Sequence, residues 1–241
     1  VDYVNDSYGS KAKLAIMHSS SSYGRDGIEL AKARAAGYGI EVVSVQQTKF
    51  VESDVSAFAL AIRQAKPTHV LVHGYSFSVW PEVIRLVRDF GMKDVVFMGT
   101  IWQNEREKVL KLKDIADGLI GIKVFTNDTK NTKGPMMKLI NDIHVKKDAN
   151  FDGYVRLGFL DGWMNAMMAA KAFETVIDAG KEINGKNLAD AMRSVKNWDT
   201  GGMVGAPINI AGQKLGLGQV IRWSKDKDWT PVPVSKWMKV E

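Results

Sequence analysis

The chain has 241 residues, 45% of them hydrophobic and 25% charged, enough for one large core or two modest ones in an ordinary globular protein. Its net charge of +6 comes from basic residues scattered among acids, as in Lys108–Asp114 (KVLKLKD), and no dense basic stripe suggests nucleic acid as a partner. Cysteine is absent, which excludes disulfides and thiolate nucleophiles or metal sites, and no apolar run approaches the roughly 20 residues of a membrane span. The opening VDYVNDSYGS has no apolar signal region, as a trimmed chain also would not.

Val1–Gly9 reads as the tail of an element whose start lies outside the sequence. Leu14–Met17 is the first strand and runs into four serines, Ser19–Ser22, then Tyr23-Gly24 and a helix to about Ala36. On that helix Ile28, Leu30 and Ala31 form the expected buried face, and Gly37 and Gly39 end it. Ile40–Val45 is a second strand. Ser53 or Asp54 caps a helix over Val55–Ala65, and Pro67 stops it. His69–His73 (HVLVH) is a third strand, apolar enough to be covered on both faces. The turn Gly74–Ser78 (GYSFS) leads to a helix ending at Phe90-Gly91. Val95–Met98 is the fourth strand, and Gly99-Thr100-Ile101-Trp102 the third turn of this kind. A helix over Glu105–Leu112 and a strand over Gly118–Phe125 follow.

Repeated strand–turn–helix units predict an α/β fold with a doubly wound parallel sheet. Right-handed crossovers place all three turns along one sheet edge, where such sheets bind ligands. After the polar connection Thr126–Gly134 the pattern changes to helices over Pro135–Lys147, Tyr154–Ala179 and Asn187–Val195, with no strands between them. Pro207–Ile210 and Leu217–Trp223 read as short strands around a turn at Ala211–Lys214, and Trp229–Lys239 as an extended edge segment.

The turns carry hydroxyls and aromatic rings but no paired carboxylates, which is the composition of a cleft that binds rather than reacts. The serine run lacks the glycines and lysine of a phosphate-binding loop, so helix capping and ligand contact both remain open for it. No G-x-S-x-G elbow is present. His18 and His73 both end strands of the expected parallel sheet, which would bring them near each other. With Asp26 the one obvious acid in the first turn, they read as structural histidines rather than a metal or acid–base pair. An α/β enzyme would need a polar catalytic pair in these turns; no enzyme activity, cofactor or metal is expected.

Four stretches carry a resemblance: KLAIMHSSSSYGRDG, VLVHGYSFSVWPEVIRLVRDFGMKDVVFMGT, GYVRLGFLDGWMNAMMAAKAFE and GAPINIAGQKLG. In this order they resemble the solute-binding proteins of ABC transporters of the branched-chain amino acid type, with the type I periplasmic-binding-protein-like fold. The resemblance implies two α/β lobes that clamp a solute in the cleft between them and deliver it to an ABC permease. On that pattern residues 1–122 and 216–241 build the second lobe and residues 123–215 the remaining part of an incomplete first lobe, whose opening strands and helices are not in this sequence.

Carried over by position, the resemblance places Tyr23 over the ligand, with Ser21 in the same turn, Tyr75, Ser76 and Phe77 in the second contact turn, and Ile101 and Trp102 in the third. Amino-acid binders of this family usually carry an acid after the FMG strand, for the ligand ammonium. Here no acid occurs before Glu105, so an aromatic or apolar carboxylate suits the turns better than an α-amino acid. The groups that hold a ligand carboxylate come from the other lobe in this family, so the isolated chain is expected to bind solute weakly. The implied location is periplasmic, or an extracellular lipoprotein, with membrane contact only through the permease or a lost anchor. A ligand-sensing effector domain of a regulator or receptor with the same fold is the alternative.

Overall fold

The structure, a computed structural model, describes residues 1–76, 78–210 and 216–239; the expected contact at Phe77 and the expected turn Ala211–Lys214 lie outside the described residues. The chain divides into two compact units, Val1–Lys123 with Val220–Ser235, and Val124–Gln219 with Lys236–Glu241.

The first unit opens with helix α1 (Asp2–Tyr8) and is built on β1 (Lys13–Ser19), β2 (Glu41–Thr48), β3 (His69–His73), β4 (Val96–Gly99) and β5 (Ile120–Lys123). These strands are parallel where they pair and lie in the order β2-β1-β3-β4-β5; β6 (Leu217–Arg222) and β7 (Val232–Pro233) continue the sheet, β7 antiparallel to β6. The crossover helices are α2 (Ser22–Asp26) and α3 (Ile28–Gly37), α4 (Ser56–Ala65), α5 (Val79–Asp89) and α6 (Arg106–Leu112). Alternation along β1 assigns the two faces. Leu14 and Ile16 join a core with Ile28 and Ala35 of α3, Met98 and Ile120. Ala15 and Met17, level with Val70 and Val72 of β3, are just as buried and point the other way. Because β2 and β3 flank β1 on opposite sides, right-handed crossovers put α3 on one face and the packed pair α4–α5 on the other. This is the doubly wound arrangement. Each fully buried Leu, Ile or Val side chain contributes about 1.5–3 kcal/mol, so the two-faced burial of these short strands is what holds the sheet.

Two local expectations differ from the structure. The single helix expected from Tyr23 is broken at Gly27 into α2 and α3, and Leu30 is 69% exposed. A restart at Ile28 puts Ile28, Ala31 and Ala35 on one stripe and turns Leu30 about 200° away from Ile28. Pro207–Ile210 is not a strand; Ile208 makes one antiparallel bridge to Trp198.

His69, the first residue of β3, has no exposed surface and lies edge-on against Tyr8 at 4.3 Å. Thr68 Oγ1 donates to Lys13 O (3.1 Å), so its 2.7 Å contact with His69 Nδ1 requires the imidazole to donate from Nδ1. Nε2 is then the bare nitrogen, and it has no partner among the described residues. Burial pushes the imidazole pKa from 6.5 down to about 4. The folded state therefore resists a proton that the unfolded chain accepts near 6.5. Its titration leaves stability unchanged above pH 6.5, and stability is lost as pH falls from 6.5 to about 4. The loss approaches about 3 kcal/mol if the shift is fully expressed. His69→Phe keeps the ring contact and is expected to flatten the denaturation midpoint across that window. An acid loss equal to wild type in this variant contradicts the assignment.

The second unit is mostly helical, with α7 (Pro135–Lys147), α8 (Leu157–Asp178) and α9 (Gly185–Ser194), α8 packing on α9. Met137, Ile140, Leu160, Met164 and Val176 are buried. The loop Thr200–Gly205 caps α7: Gly201 O accepts from the N–H groups of Met136 (3.1 Å) and Met137 (3.3 Å). Strand β8 (Met238–Lys239) pairs with the start of β6.

Candidate functional site

The strand order reverses at β1, between the crossovers to β2 and to β3. In open α/β sheets the ligand crevice lies at the carboxyl ends of the strands flanking such a switch point. There β1 ends at Ser19, β3 at His73 and β4 at Gly99, so the first unit brings three of the turns picked out from the sequence to one edge.

A residue that the site candidates omitted, Ser19, knits the first two turns together. Its Oγ lies 2.8 Å from Ser21 Oγ and accepts from the Tyr75 N–H at 3.0 Å. Ser21 is the N-cap of α2, accepting from the Gly24 N–H at 3.0 Å. The crossing is so tight that a Cβ on Gly24 would lie 2.2 Å from Ser19 Oγ, and one on Gly74 (φ +85°) 2.3 Å from the same atom and 2.8 Å from Gly24 Cα. The signal in the sequence was a strand-terminal serine with one glycine just after the first turn and another opening the second.

Beyond this brace the rings converge. Tyr23 and Tyr75 have centroids 5.2 Å apart, Tyr75 and Trp102 5.6 Å, and Tyr23 and His73 4.8 Å. All four side chains are half-buried. Burial raises the Tyr23 pKa above the ordinary phenol value, against the smaller opposing influence of Thr100 and the Trp102 indole. Gln103, fully buried, ties the third turn to the second: Thr100 Oγ1 donates to Gln103 Oε1 (3.0 Å) and Gln103 Nε2 donates to Gly74 O (2.8 Å).

The other candidates fall differently. Ile101 is half-buried in the 3-10 turn Ile101–Gln103. Ser76 has no exposed surface, and its hydroxyl lies 3.1 Å from Thr48 Oγ1 at the end of β2. Its side chain braces the sheet and does not join the ring cluster. The chain reverses at Gly74 and directs residue 76 back over β2. His18 donates from Nδ1 to Ser19 O (3.0 Å), and His73 donates from Nε2 to Tyr23 O (2.9 Å).

Chemically the edge offers three rings, hydroxyls and backbone amides. Among the described residues, no serine hydroxyl at this edge is hydrogen-bonded to a histidine, the pairing that would activate it as a nucleophile. Among the described residues no three His, Asp or Glu side chains are grouped to hold a metal ion. In the second unit, a depression of about 630 Å³ is lined by Thr129, Lys130, Lys133 and Lys138. Its Thr129 hydroxyl is already bonded to Asn141 and Gly153 O, and Lys138 pairs with Asp142, so it carries less recognition chemistry than the ring cluster.

A search of curated proteins gave no match. Among solved structures, the chain is similar to a branched-chain amino acid ABC transporter protein from Thermus thermophilus with bound valine, at 17% identity and a TM-score of 0.83, covering 99% of this chain and 63% of that one. A fatty acid ABC transporter substrate-binding protein from Thermomonospora curvata matches at 20% identity and a TM-score of 0.79, covering 100% and 61%. A solute-binding protein from R. palustris in complex with 4-hydroxybenzoate matches at 15% identity and a TM-score of 0.79, covering 99% and 63%. The chain thus spans about three fifths of the length of the structures it matches. Residues 1–222 match the family model described as periplasmic binding protein, and the chain, with its type I α/β fold, belongs to the periplasmic binding protein family.

Proposed function

We propose that this chain is part of an extracytoplasmic solute-binding protein that captures a small organic solute and hands it to an ABC permease, without catalysing a reaction. The first unit is the second lobe of the family's two-lobe plan, and the second unit belongs to the first lobe. The observation that carries the reading is the cluster of Tyr23, Tyr75 and Trp102 at the switch point of the sheet, beside the hydroxyls of Ser21 and Thr100. One wall of a cleft built this way stacks on a flat or apolar solute and hydrogen-bonds its polar edge.

The class of solute follows from what the wall lacks. The segment Thr100–Trp102 offers no carboxylate to an ammonium group, and Asp26 is exposed on α2. An aromatic or apolar carboxylate fits better than an amino acid-like solute. The matched structures with bound valine and with 4-hydroxybenzoate show that both classes occur on this fold. Calorimetry on the native protein with 4-hydroxybenzoate, phenylacetate, leucine and valine tests the choice. The aromatic acids are expected to bind at least about tenfold more tightly than the amino acids, a difference of about 1.4 kcal/mol. Tight leucine binding with none to aromatic acids overturns it.

A further inference from the structure

His73 sits directly beneath the ring wall, and a structural role at the end of β3 leaves its second nitrogen unused. Nε2 donates to the Tyr23 carbonyl at 2.9 Å, which fixes the neutral ring as the Nε2–H tautomer. Nδ1 lies 3.4 Å from Thr100 Oγ1. That hydroxyl gives its proton to Gln103 Oε1, so it has no hydrogen to offer a bare Nδ1 but has lone-pair capacity to accept from a protonated one. His73 therefore touches Tyr23 at its backbone carbonyl and at its ring, the two ring centroids 4.8 Å apart.

We propose that His73 is the positioning residue for the Tyr23 ring, and that proton uptake at Nδ1 moves that ring by adding a hydrogen bond to Thr100 and a cation beside the aromatic face. The inference rests on the reading of Tyr23 as part of the solute wall.

The groups that face His73 set the direction. From β1 comes His18, level with it in the sheet, whose charge disfavours a second proton; from α2 come the Tyr23 ring and Asp26, which favours it. The segment after β4 contributes the neutral Thr100. Burial is the largest influence and holds the imidazole below its ordinary 6.5. The neutral form is thus kept at pH 7 and the switch operates in mild acid. A cation within about 6 Å of a tyrosine ring is attracted to its face, and the 4.8 Å separation of the two rings meets that condition.

The test needs no solute. Long-range imidazole ¹⁵N–¹H correlation spectra of the 241-residue protein give the tautomer and midpoint of His73, and ¹³C-labelled tyrosine reports on Tyr23, assigned with Tyr23→Phe. The expected result is an Nε2–H tautomer at pH 7.5, a midpoint below 6.5, and a Tyr23 ring shift with the same midpoint. His73→Gln keeps a donor to the Tyr23 carbonyl and is expected to abolish that ring shift, while His18→Gln preserves it. If His73→Gln does not fold, Thr100→Val removes the Nδ1 acceptor and is expected to diminish the ring shift while His73 still titrates. An Nδ1–H tautomer, or a Tyr23 ring shift that survives loss of His73 or of the Thr100 hydroxyl, overturns the proposal. Because no ligand is involved, failure here leaves the solute-binding reading to its own calorimetric test, and failure to bind any solute leaves this titration unchanged.

Discussion

Gly74→Ala is expected to cost the protein about 3 kcal/mol of stability and to dismantle the ring wall. Two separate penalties combine at this position. The backbone sits at φ +85°, where an L side chain is strained, typically by 1–3 kcal/mol. The added methyl would also lie 2.3 Å from Ser19 Oγ and 2.8 Å from Gly24 Cα. Ser19 could rotate away only by giving up its bonds to Ser21 Oγ and the Tyr75 N–H, and the Gly24 Cα is backbone that cannot yield without shifting α2. Gly91→Ala is the matched control: its φ of +82° is nearly the same, and nothing lies within 4 Å of the new methyl. It is expected to cost about 1 kcal/mol from the backbone alone. Urea unfolding of the two variants separates the terms. Equal midpoints would show that the close crossing of the first two turns does not constrain the fold.

Tyr23→Ala is expected to weaken solute binding about 30- to 100-fold, the effect of removing a central aromatic anchor worth 2–3 kcal/mol. The ring is held by His73 at the adjacent carbonyl and stands against Tyr75. It enters binding already ordered, so little affinity is spent on immobilising it. Tyr23→Phe keeps the ring and loses only the hydroxyl, and an intermediate loss of about tenfold is expected. Calorimetry with whichever acid the native protein binds gives both values. Unchanged affinity in Tyr23→Ala would remove the ring from the solute wall.

Much of this site was legible before any coordinates. The strand runs at Leu14, Val70 and Val96 are apolar because helices cover them on both faces, and each is followed by a small polar turn. That grammar names the sheet edge and the residues on it. The order of the motifs carried the family, which the match over residues 1–222 shows. What was not legible depends on contacts distant in sequence. The knit between Ser19 and the Tyr75 amide spans two crossovers, and the direction of Ser76 is set by Thr48. The Gly27 break was not marked by any proline or cap signal beyond a single glycine, and the exposure of Leu30 follows from its place two residues after Ile28, about 200° round the helix. The tautomer of His73 depends on a carbonyl 50 residues away, which no local pattern encodes.

Native mass spectrometry tests the central claim most directly, comparing the purified protein before and after denaturation, for wild type and Tyr23→Ala side by side. Each is run as isolated and after incubation with a panel of aromatic and aliphatic carboxylates. For the full-length protein, with both lobes present, a small organic mass that accompanies folded wild type, departs on denaturation and is lost from folded Tyr23→Ala is the predicted result. The account is contradicted if Tyr23→Ala retains that mass at the wild-type level, or if folded wild type carries none from the cell or from the panel.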